Sequence, residues 1–281
     1  MKFRSLSFTH SPLTSVPHPP NVSSGMKRLV PRRNARLLAG ALAFSLLAFS
    51  LVKADVTVTL DPPALDFKDV GPYINPAPVG MSQKGFELYL VIDRQRHVNP
   101  VDLARARAED TMPDPYQFAD VLGEWFKKGN PNLVHTDALL KAAMDMTESF
   151  VGPAKEYWHR NRPCFQDPAD VEFLPSGGDE EKDRLRKSGS FPSGHSADGT
   201  MFALVLSDIT PASYREKLIA RGVQFGDDRV LLGVHFPSDV VAGRWLAEKV
   251  YAGIKDEPAY KAAVVAARAE ITAQLSLSPS D

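Results

Sequence analysis

Small residues crowd against a single histidine in the stretch SGSFPSGHSADGT, which directly precedes the apolar run MFALVLSDI. A helix N-terminus offers unpaired backbone N–H groups and a partial positive charge, and glycine lets a ligand approach the backbone closely. The stretch is therefore a candidate anion site, with Ser193 and Gly194 as ligands and His195 as a titratable group. Taken alone, the stretch is more often an ordinary turn and helix cap. Asp198 either modulates the pKa of His195 or is simply solvated.

A second segment with chemical potential is KEYWHRNRP, in which Lys155 and Arg162 lie seven residues apart. On one helix that spacing is two turns, so both side chains would point to the same face, and Pro163 would end the helix. The pair could bind an anion. Two basic residues on an amphipathic helix are, however, more often part of a solvated face.

A third segment, DDRVLLGVHFPSD, supplies Arg229, His235 and Asp239. Pro237 suits the first turn of a helix, which would place Asp239 just inside that helix and near His235. A carboxylate that accepts the Nδ1 proton of a histidine fixes its tautomer and leaves Nε2 as a nucleophile. The alternative is a helix cap beside a surface histidine.

The order Lys-x6-Arg-Pro, Pro-Ser-Gly-His and Arg-x5-His-x3-Asp resembles the type 2 phosphatidic acid phosphatase superfamily. That superfamily unites bacterial class A nonspecific acid phosphatases, lipid phosphatases and vanadium haloperoxidases. The motifs span residues 155–239, and a looser resemblance covers about 100–270. The segments around Pro-Ser-Gly-His and around His235 are most similar to the soluble class A enzymes. The resemblance implies hydrolysis of phosphomonoesters without a metal cofactor.

The resemblance also implies a phosphate cradle. Lys155, Arg162 and Arg229 would surround the phosphoryl oxygens, and Ser193 with the Gly194 backbone N–H would complete the site. Three fixed cations can stabilise the charge of a phosphoryl transition state without a metal. Vanadate, which resembles phosphate, would bind the same cradle as an inhibitor.

Three further roles follow from the resemblance. His235 would attack phosphorus and form a phosphohistidine, and Asp239 would orient it. His195 would protonate the leaving alkoxide and later deprotonate the hydrolytic water. Because one histidine must be protonated while the other is neutral, the rate should be bell-shaped in pH.

One position departs from the superfamily pattern. Asp228 stands directly before Arg229, where the pattern usually has serine. A carboxylate there could pair with Arg229 and weaken its hold on phosphate, or it could hold the guanidinium in place. We expect activity to survive, with substrate affinity and pH optimum open to change.

Two other enzyme functions and one non-enzymatic function remain alternatives. A vanadium-dependent haloperoxidase would hold vanadate as a cofactor in the same cradle. A lipid phosphate or pyrophosphate phosphatase would use the same motifs, although the membrane members embed them in several spanning helices. An anion-binding protein on this fold would be favoured only if a motif histidine were missing, and both are present.

The elements that must position these residues are helical. Residues 55–85 form a proline-punctuated extended arm, and 86–281 form a single all-α domain around a buried central helix, in which Ala and Leu recur at helical spacing. DPYQFADVLGEWFKKG is predicted as a helix, Gly152-Pro153 as a kink or break in a long helix, and 164–190 as a polar loop. This loop is a candidate for tuning substrate choice.

Residues 1–54 differ from the rest, with eight Lys or Arg and no Asp or Glu. A basic segment, an apolar run over 37–52 and small residues before Asp55 predict a secretory signal peptide cleaved after Ala54. The remaining 25 basic and 34 acidic residues give a net charge near −9, which argues against nucleic acid or an anionic membrane as a stable partner. We therefore expect a periplasmic or secreted protein whose partners are small phosphomonoesters. A homo-oligomer is not excluded.

Overall fold

The computed structural model describes residues 56–66 and 81–277, and within them all regular secondary structure is helical. The predicted all-α class is therefore confirmed. Short 3₁₀ helices lie at Pro115–Phe118 and Ala212–Tyr214. The α-helices are α1 (Met81–Arg96), α2 (Pro100–Ala108), α3 (Ala119–Leu122), α4 (Val134–Trp158), α5 (Pro163–Gln166), α6 (Gly178–Arg186), α7 (Gly194–Ile209), α8 (Arg215–Leu231), α9 (Pro237–Ile254) and α10 (Pro258–Leu277).

Helix α7 is the predicted central helix, and the structure confirms its burial. Most of its apolar side chains are buried, and Met201, Phe202 and Leu206 are fully so. Helices α4, α8, α9 and α10 pack around it. A helix that is apolar nearly all round is stable only when other helices cover every face. The candidate anion site at its first turn therefore stands on a fixed element.

Glycines allow α7 and α8 to approach closely. A Cβ added at Gly199 would lie 2.8 Å from the Cβ of Phe225 and 2.9 Å from the carbonyl oxygen of Gly222. On the other side of α7, a Cβ at Gly243 of α9 would press on Ser193 and on Ser196. These contacts set the position of the first turns of α7 against its two neighbours.

Two predictions about local structure were wrong, and one of the two alternatives for Gly152-Pro153 does not hold. The helix predicted for DPYQFADVLGEWFKKG ends at Leu122, where Gly123 adopts a φ of 103°. Helix α4 continues through Gly152 and Pro153 to Trp158, so the chain does not break there. The 164–190 segment holds most of α5 and all of α6, whose first turn is acidic and whose last turn is basic, as the helix dipole favours.

The extended arm is described only in part. Residues 56–66 lack regular structure, and Leu60 among them is buried in the core. Helix α1 begins at Met81, so the helical body starts five residues before the predicted boundary at 86. The predicted N-terminal extension and signal peptide over 1–54, with its apolar run at 37–52, lies outside the described residues. Among the described helices, none is both long and apolar enough to cross a bilayer.

Candidate active site

The end of α4 positions the first motif differently from the sequence prediction. The helix ends at Trp158, and His159 takes up a left-handed conformation with φ 45°. Lys155 is therefore in the last turn of α4, whereas Arg162 lies beyond the turn as the residue that precedes α5. They do not share a helix face, and Pro163 begins a helix rather than ending one. The reversal of the chain at His159 nonetheless brings both cations to one cavity.

That cavity has a volume of about 260 Å³ and lies at the N-terminus of α7. It combines cations, two histidines and two acids with a short apolar rim. The side chains and backbone that line it belong to Met112, Pro113, Glu148, Gly152, Lys155, Arg162, Arg184, Leu185, Ser188, Gly194, His195, Asp198, Arg229 and His235. Six of the eight predicted site residues are thus on its wall.

Ser193 and Asp239 are the two predicted site residues that do not line the cavity. Ser193 is fully buried and caps α7, since its Oγ accepts a hydrogen bond from the Ser196 N–H at 3.3 Å. Its own N–H donates to the Asp239 carbonyl at 2.9 Å. This bond joins the start of α7 to the start of α9, so the two motifs hold each other in register.

Arg162 organises one side of the cavity. Its Nε donates to the Leu185 carbonyl at 3.1 Å, and its Nη2 donates to the Gly189 carbonyl at 3.2 Å. Lys155 Nζ donates to the same Gly189 carbonyl at 3.1 Å. Burial, reinforced by the charge of Arg162, lowers the pKa of Lys155 to about 7. The positive charges on the cavity wall are therefore not fully balanced by neighbouring carboxylates.

Arg229 supplies the other side. It is almost fully buried, its Nη1 donates to the Asp110 carbonyl at 3.2 Å, and Glu181 is 3.8 Å from its Nη2. Its Nε is buried and has no hydrogen-bond partner within the described residues. Burial lowers the pKa of Arg229 to about 10, and burial with the charge of Arg229 does the same to Arg162. Buried donors without partners are costly, and a bound anion would satisfy them.

The protonation state of His235 follows from its neighbours. Arg162 Nη1 lies 3.0 Å from Nε2 of this nearly buried histidine, and the Asp239 Oδ2 lies 3.4 Å from Nδ1. A guanidinium has only donors, so Nε2 must be the acceptor and the proton must be on Nδ1. Burial and the charge of Arg162 hold the pKa of His235 well below its usual range. The site therefore presents a neutral imidazole with its Nε2 lone pair toward the cavity.

Arg160 binds the Asp239 carboxylate at the oxygen that does not face His235. This contact was not predicted from the sequence. Its Nη1 donates to Asp239 Oδ1 at 2.6 Å, and its Nη2 donates to Glu87 on α1 at 2.6 Å. The backbone N–H of Phe236 donates to Asp239 Oδ2 at 2.8 Å. Burial raises the pKa of Asp239, and Arg160 opposes that shift most strongly. The carboxylate is therefore fixed on both oxygens.

Comparison with known proteins identifies the core of this site. Residues 138–254, which include all three motifs, match the model of the PAP2 superfamily. Residues 138–254 form a PAP2 superfamily domain. The family resemblance seen in the motifs is thereby confirmed.

Curated relatives of the PAP2 domain carry phosphatase names. A protein of Salmonella typhimurium named non-specific acid phosphatase is 41% identical over 119 residues, which cover 42% of this chain and 45% of the relative. An acid phosphatase of Zymomonas mobilis is 32% identical over 139 residues, half of each chain. A lipid A 1-phosphatase of Rhizobium etli is 44% identical over 54 residues, covering 19% of this chain and 23% of the relative. The match thus spans about half the length of the acid phosphatases.

His195 in the PAP2 domain lies on the cavity wall, and its Nε2 contacts the Thr111 carbonyl. Because a carbonyl only accepts, this contact places a proton on Nε2. Burial and the charge of Arg229 hold the pKa of His195 well below its usual range. In the empty site His195 is therefore neutral as well.

Asp228 does not pair with Arg229, contrary to both interpretations of this departure. Its carboxylate accepts from Arg105 on α2, with Nη2 at 2.9 Å and Nε at 3.2 Å. The neighbouring Asp227 pairs with Arg244 at 2.6 Å. Arg105 lies 123 residues before Asp228 and outside the three motifs, and the packing of α2 on α8 brings the two residues together.

Two charged residues of the wall were not predicted, and the role of a third was left open. Arg184 of α6 and Glu148 of α4 line the cavity, so the segment that was predicted as a loop does reach the site. Asp198, for which the sequence left solvation open, is fully buried instead. The sequence signal for its burial was the position of an acidic residue in α7 just before the apolar run.

Proposed function

We propose that the protein is a secreted, metal-independent acid phosphatase that hydrolyses phosphomonoesters through a phosphohistidine. The observation that carries the proposal is the tautomer of His235. Its Nε2 lone pair faces a cavity of cations, and its Nδ1 proton faces the Asp239 carboxylate. This is the arrangement that an in-line nucleophile for phosphorus requires.

In the first step, Lys155, Arg162 and Arg229 bind the phosphoryl oxygens, and the first turn of α7 adds backbone donors at Gly194. The phosphate replaces His235 Nε2 as the acceptor of the Arg162 bond and frees the nitrogen for attack. The Nε2–P bond forms while the bond from phosphorus to the ester oxygen breaks. Asp239 stabilises the positive imidazole through its Nδ1 proton.

His195 handles the proton in both steps. It gives a proton to the leaving alkoxide in the first step and takes one from water in the second, when the water oxygen binds phosphorus and the N–P bond breaks. In the empty site its pKa is well below the usual range. A bound phosphate dianion places negative charge beside the imidazole, which raises that pKa and favours the protonated form. Substrate binding thus favours the protonated form of His195 that the first step requires.

Among the alternative substrates, the similarity to known phosphatases favours small phosphomonoesters. The acid phosphatase matches extend over 119 and 139 residues, whereas the lipid A 1-phosphatase match covers 54. All three relatives are named as phosphatases, which favours hydrolysis over the haloperoxidase reaction. We expect small phosphomonoesters as partners, no stable nucleic-acid or membrane partner, and vanadate as an inhibitor. Ser193 contributes by capping α7.

Secretion is the part of the proposal that depends on residues 1–54. We expect export to the periplasm or medium and cleavage after Ala54 because of the basic and apolar pattern. N-terminal sequencing of the exported protein tests this. A mature chain that begins at Asp55 supports export by this signal, whereas an intact N-terminus on a cytoplasmic protein contradicts it.

The test of activity is hydrolysis of p-nitrophenyl phosphate with EDTA present, from about pH 4 to about pH 8. The proposal predicts EDTA-insensitive turnover that is lost in His235→Ala and inhibited by vanadate. His97→Ala is the matched control, because this exposed histidine lies at the end of α1 and not on the cavity. A folded protein with no turnover, or turnover that survives in His235→Ala, would overturn the proposal.

A further inference from the structure

Two acidic side chains share the wall of a cavity that otherwise collects cations. Glu148 comes from α4, and Asp198 comes from α7 one turn beyond His195. Both line the cavity. Neither belongs to the phosphate cradle or to the proton path of the proposed reaction, so the proposed mechanism assigns no role to either side chain.

Asp198 is unusual among the acids of the described residues. It is fully buried, and neither of its carboxylate oxygens has a hydrogen-bond partner of normal geometry there. Burial and then the neighbouring Glu148 raise the pKa of Asp198 well above its usual range. A buried acid that opposes another acid is stable when the two share one proton.

Glu148 lies beside the N-terminus of α7. Its Oε1 lies 3.2 Å from the point where a Cβ on Gly194 would be, and Lys155 Cε lies 4.0 Å from the same point. The side chain is partly exposed, so a ligand can reach it. Its carboxyl oxygens can accept a hydrogen bond from a ligand. Glu148 is thus an acceptor directly beside the phosphate cradle.

We infer that Glu148 is a specificity-determining residue that accepts a hydrogen bond from a hydroxyl on the leaving group of the phosphomonoester. Asp198 is a positioning residue that donates its proton to Glu148 and fixes the carboxylate. The inference rests on the proposed phosphatase function. A neutral hydroxyl fits better than an ammonium group, since Lys155 already supplies positive charge at this wall.

The experiment compares two esters of equal carbon number, 1-glycerol phosphate and propyl phosphate, which differ only in the leaving-group hydroxyls. The readout is the ratio of their kcat/KM values. We expect the protein to prefer 1-glycerol phosphate by about tenfold, because propyl phosphate leaves the acceptor unpaired. In Glu148→Ala the ratio should fall to near one. Asp198→Ala should lower it as well, and Asp198→Asn, which keeps a donor, should restore most of it.

The control is Asp145→Asn, one turn from Glu148 on α4, where Asp145 is exposed and pairs with Lys141. This variant should keep the full ratio. No preference in the unmodified protein, or a preference that persists in Glu148→Ala, would overturn the inference while the phosphatase function stands. Failure to hydrolyse either ester would overturn the phosphatase function and the inference with it.

Discussion

Arg160 and Asp239 form a buried ion pair in which Nη1 donates to Oδ1 at 2.6 Å, on the carboxylate oxygen that does not face His235. The guanidinium also lies 4.0 Å from the ring centre of Phe236 and donates to Glu87 on α1. One arginine therefore connects the N-terminal helix to the carboxylate behind the proposed nucleophile. The orientation of His235 thus depends on Arg160, a residue that the first motif spans but does not specify.

Removing this arginine should reduce turnover more than binding. In Arg160→Met the Asp239 carboxylate loses its fixed partner, and a small displacement of His235 costs about 10- to 100-fold in kcat. KM should change little, because Lys155, Arg162 and Arg229 remain. Steady-state kinetics check this, with Arg160→Lys expected to recover part of kcat and the exposed Arg96→Ala as control. An unchanged kcat in a folded Arg160→Met would refute the role.

The pair between Arg105 and Asp228 should matter mainly for stability. Asp228 is buried, and Arg105 is about a quarter exposed, with side-chain exposures of 4% and 24%. Arg105→Ala leaves the carboxylate unpaired and should cost about 2 to 4 kcal/mol in the free energy of unfolding. Arg105→Ala with Asp228→Ser should recover most of that loss. Urea unfolding of the double-mutant cycle measures both, and additive losses would show that the two residues act independently.

The pH dependence should differ between kcat/KM and kcat. In the empty site the pKa of His195 is lowered and that of Lys155 is about 7, so protonated His195 and charged Lys155 are both lost as the pH rises toward neutrality. Because kcat/KM reports the free enzyme, it should be highest on the acid side. It should fall first with the loss of protonated His195, below the usual histidine pKa of about 6.5, and again near pH 7 as Lys155 loses its charge. Bound phosphate raises the pKa of His195, so the alkaline limb of kcat should lie at higher pH.

An alkyl phosphate is the right substrate for these profiles, since its poor leaving group needs the proton from His195. Coincident alkaline limbs for kcat and kcat/KM would mean that phosphate binding does not change the protonation of this histidine. That result would remove the argument for His195 as an acid prepared by the substrate.

The close approach of α7 and α8 can be tested at Gly199. In Gly199→Ala the new methyl would lie 2.8 Å from the Phe225 Cβ, so the helices must move apart at a cost of about 1 to 3 kcal/mol in the free energy of unfolding. Gly85→Ala on α1 is the control, because no atom lies within 4 Å of the added Cβ. That variant should be neutral or stabilised by about 0.5 kcal/mol. Equal stabilities for the two variants in thermal unfolding would contradict the packing described.

The sequence predicted the helical class and the central helix correctly because the apolar run of α7 leaves no polar face. It also placed Asp239 in the first turn of α9, since Pro237 can only start that helix. Helix α6 was missed because its sequence, GDEEKDRLR, carries little apolar pattern. Its order depends on termini that match the helix dipole and on the burial of Leu185.

From the sequence, only the residues that the three motifs specify could be predicted to belong to the candidate site. Lys155 and Arg162 were assigned to one cavity for the wrong reason, because the left-handed turn at His159 that brings them together has no sequence signal without glycine or asparagine. Arg105 and Arg160 could not be assigned, because they meet Asp228 and Asp239 only through the packing of α2 on α8 and the turn that follows α4. Long-range contacts of this kind depend on tertiary structure rather than on local spacing.

The central claim is a covalent bond between His235 and phosphorus, and rapid acid-free quenching of turnover tests it directly. Intact-mass analysis and peptide mapping after millisecond mixing with a phosphomonoester should show one added phosphoryl group on His235, labile in acid. Asp239→Asn should lower its rate of formation. A phosphoryl group on another residue, or steady turnover with no phosphorylated protein under conditions where its breakdown is slowed, would contradict the account.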